Sequence, residues 1–85
     1  MVIMKLSRHV RNNMRLYGIL EEEIRDAIQS PDYIERTGRK IRVHKTFLNR
    51  FSGYPLKVVY EGREEVFVIT AYPLKKAYRR HGHEG

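Results

Sequence analysis

His9 and His44 are the side chains of this 85-residue chain best suited to moving protons near neutral pH, because imidazole is the side chain that titrates there unperturbed. With Arg42 and Lys57 they compose a set able to cut RNA without a metal. In that reaction the ribose 2′-hydroxyl attacks the neighbouring phosphorus. One group takes its proton, a second protonates the leaving oxygen, and cations stabilise the charge gathering on the phosphoryl oxygens. The candidate catalytic residues are therefore His9, Arg42, His44 and Lys57, with no metal and no cofactor required. A plainer role competes for each of them. A lone histidine more often packs against its neighbours and bonds a backbone carbonyl, and no spacing among the four demands catalysis.

A second group of side chains suits a phosphate backbone. Arg8, Arg11 and Arg15 recur at helical spacing and mark one side of a helix; their guanidinium forks match phosphate oxygens in pairs. The same stripe also reads as a solvated face that pairs in part with nearby glutamates. Arg39, Lys40 and Lys45 continue the basic set along a strand, and Lys75, Lys76 and Arg79 extend it late in the chain. Tyr54, Tyr60 and Tyr72 are candidate rings for base stacking, with Tyr72 carried into the binding set, although a strand tyrosine is more often a core aromatic.

Other chemistries are poorly represented. There is no cysteine, which excludes a disulfide, a thiolate nucleophile and a Cys-based zinc site. His81 and His83 lack a third ligand, so a structural metal site is not expected there. No glycine-rich phosphate loop, His-Glu-x-x-His pattern or paired carboxylates on basic strands occur, which disfavours nucleotide hydrolysis and metalloprotease chemistry. Apolar runs are too short for a membrane span, and residues 1–6 are too short for a signal-peptide core. A soluble cytoplasmic protein that does not engage a membrane is the expectation.

These side chains need elements to position them. Residues 2–6 read as a short strand. Ser7 stands at a helix N-cap, Val10, Met14 and Tyr17 form an apolar helical stripe, and Gly18 suits the left-handed C-cap. Glu21, Glu22 and Glu23 face the positive end of a second helix, whose buried stripe is Ile24, Ala27 and Ile28 and which stops at Ser30-Pro31. The short link between the helices predicts an antiparallel helical hairpin. Residues 33–37 read as a strand turning at Gly38. Over 39–47 the pattern alternates, with Ile41, Val43 and Lys45 on one side and Arg42, His44 and Thr46 on the other. Residues 49–55 are a loop, 56–61 and 65–72 a hairpin around Gly62, and 74–80 a short helix. The predicted fold is α+β, an N-terminal helical hairpin on one face of a three- to four-stranded antiparallel sheet. It occupies residues 1–80 as one domain, followed by a frayed tail at 81–85.

Charge is segregated along the chain. The net charge is +7, with seven basic residues and no acid across 36–57, and nine of the ten acids confined to 21–35 and 61–65. If the acid-free stretches fold together, one face is strongly positive, the footprint of a nucleic-acid binder. A basic balance that serves only solubility is the simpler alternative.

In order along the chain come Ser7-Arg8-His9, Arg15 with Gly18-Ile19, the Glu-rich second helix, Pro31, the basic strand, Leu56-Lys57-Val58-Val59 and Val68-Ile69-Thr70-Ala71-Tyr72. This succession resembles a widespread prokaryotic family of domains of unknown function, over about residues 6–72. That family is similar in layout to the RelE/ParE-like toxins, including BrnT-type ribonuclease toxins. The resemblance implies a RelE-like fold and, for the toxin relatives, metal-independent endoribonuclease activity restrained by an antitoxin. Leu20 departs from the Ser or Thr expected to cap the second helix. Three readings follow: a toxin-like RNA-binding protein with endoribonuclease activity, a non-catalytic module docking an acidic antitoxin protein, and a nucleic-acid binder without catalysis. The expected state is a monomer or a homodimer.

Overall fold

Four strands follow the second helix along the chain, and a fifth precedes the first helix. The computed structural model describes residues 3–74. Within them lie β1 (Ile3–Leu6), α1 (Arg8–Tyr17), α2 (Glu21–Gln29), β2 (Tyr33–Thr37), β3 (Lys40–Lys45), β4 (Leu56–Glu61) and β5 (Glu65–Pro73). The strands form one sheet in the order β1-β5-β4-β3-β2.

The α+β class and the leading position of the helices match the expectation, but the sheet does not. It has five strands rather than three or four, and it is mixed rather than antiparallel. β1 runs parallel to β5, with Ile3 opposite Glu65 and Leu6 opposite Val68. A short strand whose partner lies at the far end of the chain leaves no local mark of that pairing in the sequence. The short 74–80 helix and the tail at 81–85 lie outside the described residues.

Local chemistry sets the helix ends. Ser7 caps α1 by accepting from the Val10 N–H at 3.1 Å, and Gly18 closes it with φ 69°, a conformation that costs glycine little. Leu20 supplies no side-chain cap to α2. Instead Glu23 reaches back to accept from the Leu20 N–H at 2.9 Å, which is the carboxylate half of a capping box.

The helices pack on the sheet rather than chiefly on one another, α1 against β5 and α2 against β3 and β4. The link between them is short, but each apolar stripe finds a wider surface in the sheet than in the other helix. Val10, Ile24 and Ala27 meet Val43, Leu56, Val58, Val66, Val68 and Ala71 in one core. α1 also closes the part of the β5 edge that β1 leaves open. The Ser7 hydroxyl donates to the Ile69 carbonyl at 3.2 Å, and the Asn13 amide donates to the Ala71 carbonyl at 3.1 Å. These bonds satisfy carbonyls that an exposed edge would leave free. Among the described residues no helix is long and apolar enough to cross a membrane.

Candidate nucleic-acid interface

The helices cover one face of the sheet, so the period of two sends alternate strand residues to the other. Register then decides which of them meet. His44 lies opposite Tyr33 on one side and Lys57 on the other, and Lys57 lies opposite Tyr72. One row of side chains thus crosses four adjacent strands in the order Tyr33, His44, Lys57, Tyr72. The neighbouring row is Glu35, Arg42, Val59 and Thr70. His9 meets its end from α1, with Nε2 3.0 Å from the Thr70 hydroxyl oxygen.

Contacts within the first row are close. The Tyr33 and His44 rings are 5.0 Å apart between centroids and tilted by 32°, and the Lys57 ammonium lies 5.8 Å from the Tyr72 ring centre. Burial holds the His44 pKa below its ordinary value, and the positive charge of Lys57 pushes it the same way against the opposing pull of Glu35. His44 is therefore a neutral imidazole at pH 7, able to accept a proton, with a cation beside it. At the far row, His9 is engaged by Thr70 and by the Asn13 amide at 3.4 Å.

Of the expected catalytic residues, Arg42, His44 and Lys57 share this face and His9 reaches its border; Tyr72 joins them. The other members of the expected binding set among the described residues are dispersed. Arg39 and Lys40 sit at the β2–β3 turn. Lys45 points to the helix side, where its ammonium donates to the Ser30 carbonyl at 2.8 Å, at the C-terminal end of α2. A cation there complements the helix dipole. Arg11 and Arg15 flank a groove with Leu6, Met14 and Ile19. At about 100° per residue, Arg8 falls on that side of α1 too, turned away from His9 and Asn13. Tyr60 is buried on the helix side, so it is no stacking ring for the open face. Tyr54 follows the 3-10 turn at Phe51–Gly53. Lys75, Lys76, Arg79, His81 and His83 lie outside the described residues.

Tyr33, Glu35 and Thr70 belong to the open face but were not singled out from sequence. A signal for the first two exists. The Gly38-Arg39 turn places Thr37 opposite Lys40, and counting outward brings Glu35 to Arg42 and Tyr33 to His44. Thr70 has no such local signal, because a register shift in the β4–β5 pair next to Val59 moves it by one place. Among the described residues no cluster of three or more His, Cys, Asp or Glu side chains could hold a metal ion.

The model of a family described as a domain of unknown function, DUF4258, matches residues 6–73, and the chain belongs to that family. No curated protein and no solved structure matches the chain. Nothing in these comparisons connects it with RelE/ParE-like or BrnT-type toxins.

Proposed function

We propose that this DUF4258 member binds single-stranded RNA on the open face of its sheet, with His44 in the position of a general base for metal-independent cleavage. The observation that carries the reading is the row Tyr33, His44, Lys57, Tyr72 with Arg42 beside it. Rings at the two ends of the row suit base stacking, and the cations between and beside them suit the phosphates. A neutral imidazole next to Lys57 can take the 2′-hydroxyl proton as the 2′-oxygen–phosphorus bond forms and the phosphorus–5′-oxygen bond breaks, the leaving oxygen taking a proton from water. The ammonium and the Arg42 guanidinium stabilise the phosphoryl charge meanwhile.

Fluorescence anisotropy with a labelled single-stranded RNA across a salt series tests the binding. Affinity falls steeply with salt, and Arg42→Ala or Lys57→Ala each lowers the slope of log K against log salt by about 0.7. Tyr72→Ala weakens binding by roughly 1–3 kcal/mol with the slope unchanged. Absent or salt-insensitive binding overturns the reading. Cleavage is a separate arm: RNA is cut in EDTA by the wild type and left intact by His44→Ala.

One observation favours a second reading. All five residues of β2 are exposed at the sheet edge, so an acidic partner segment, such as an antitoxin strand, can add there by backbone pairing. A stable complex with a co-expressed acidic protein, with RNA neither bound nor cut, selects that reading over the first.

A further inference from the structure

A separate cluster of cations lies on the helix-bearing side of the sheet, at the end formed by the β2–β3 and β4–β5 turns. Ile28 of α2 and these turns bound a cleft of about 660 Å³, lined by Arg36, Arg39 and Arg63 around an apolar floor of Ile41, Tyr60 and Val66. Register fixes its separation from the RNA face. Arg36 lies opposite Ile41, and Ile41 opposite Tyr60, one residue out of phase with the Glu35, Arg42 and Val59 row on the other side.

Three guanidinium groups face one carboxylate, Glu61, among the cleft's lining residues. Lys5, Arg25 and Arg50 have carboxylate partners, whereas among the described residues none pairs with Arg36, Arg39 or Arg63. The ring of Tyr60 is buried and its hydroxyl makes no hydrogen bond to a described residue. No buried side-chain polar atom is left unsatisfied, so that hydroxyl is not sealed in the core, and Tyr60 is one of the residues lining the cleft. Burial raises the Tyr60 pKa, against a smaller pull from Arg36, so the donor proton is retained at neutral pH.

We propose that this cleft binds a small phosphorylated ligand with an apolar or aromatic body, of the nucleoside diphosphate class. Guanidinium forks engage phosphate oxygens two at a time, and three of them around one carboxylate leave an excess of positive charge that a multiply charged anion neutralises. The floor of Ile41, Tyr60 and Val66, with Ile28 at its side, accepts the body that a bare phosphate lacks. The volume falls within the range of about 300–1,000 Å³ usual for small-molecule sites.

Isothermal titration of the full chain with the common ribonucleoside diphosphates, and with inorganic pyrophosphate, tests the proposal. At least one nucleoside diphosphate binds saturably at one per chain and more tightly than pyrophosphate. Arg36→Ala and Arg63→Ala each weaken it about tenfold, the loss expected for one charge-assisted hydrogen bond, with unchanged circular dichroism. Arg42→Ala and Lys57→Ala leave it unaltered, which separates this site from the RNA face. Three results overturn the proposal: no saturable binding by any of the diphosphates, pyrophosphate binding as tightly as the best of them, or loss of binding in Arg42→Ala.

Discussion

Lys57 lies between His44 and Tyr72, and its charge acts on both. It approaches the Tyr72 ring face and disfavours a second positive charge on the imidazole, adding to the larger effect of burial. Proton NMR of the His44 ring should therefore give a midpoint below 6.5. Lys57→Met should raise it, because one of the two causes of the depression is gone, while Glu35→Gln should lower it further. The sign for stability follows. Above the unfolded-state value both states are neutral; as pH falls through about 6.5 the unfolded chain takes up its proton first. His44 thus withdraws stability on mild acidification, and His44→Gln should flatten that part of the pH profile. A His44 midpoint above 6.5 contradicts the burial and the charge together. Much of this was legible in sequence. The alternation of Ile41 and Val43 against Arg42 and His44 sufficed to put the last two on the open side, whereas Tyr33 emerged only once the Gly38-Arg39 turn fixed which residues face each other.

Turns carry the register that brings these residues together, and the β4–β5 turn is the most constrained. Gly62 has φ 97°, and a Cβ there would collide with the Glu65 backbone carbonyl. Gly38 also has positive φ, at 63°, but a Cβ there meets nothing. Gly62→Ala should cost more than the roughly 1–3 kcal/mol of an unfavourable backbone conformation alone, and Gly38→Ala should cost less than Gly62→Ala. Urea denaturation of the two variants checks the order; equal losses would show that the carbonyl contact is not responsible. The elements divide in legibility by how local their causes are. Ser7, Gly18 and Gly62 mark their own boundaries. The pairing of β1 with β5 and the register shift beside Val59 depend on residues distant in sequence, and no window along the chain contains both partners.

At the scale of the molecule, folding brings some of the segregated charges back together. Arg50, within the acid-free stretch 36–57, pairs with Glu23, donating to Oε1 at 2.8 Å and also bonding the Gly18 carbonyl. Lys5 pairs with Glu65 at 2.9 Å. Among the described residues the positive charge is therefore not one unbroken surface: the α1 arginines, the open-face cations and the turn-end arginines form three groups there. The first pairing also ties the joint between the helices to the loop after β3. The hydrogen bond from Arg50 is the largest influence holding the Glu23 pKa below 4.5, opposed by burial and assisted by the Leu20 N–H. A depressed carboxylate contributes stability above its unfolded value and loses it as pH falls through the folded one. The melting temperature should therefore drop from about pH 4.5 downward, and Glu23→Gln should shrink that drop while lowering the melting temperature at pH 7. A variant as acid-sensitive as the wild type would rule the carboxylate out as the cause. The parallel seam of β1 against β5 has one more consequence, for synthesis. Translation delivers β1 long before its partner, so both helices emerge with no finished surface beneath them, and the seam closes only when β5 leaves the ribosome. A nascent chain stalled after β4 holds its apolar stripes in water, which makes it a natural client for chaperones.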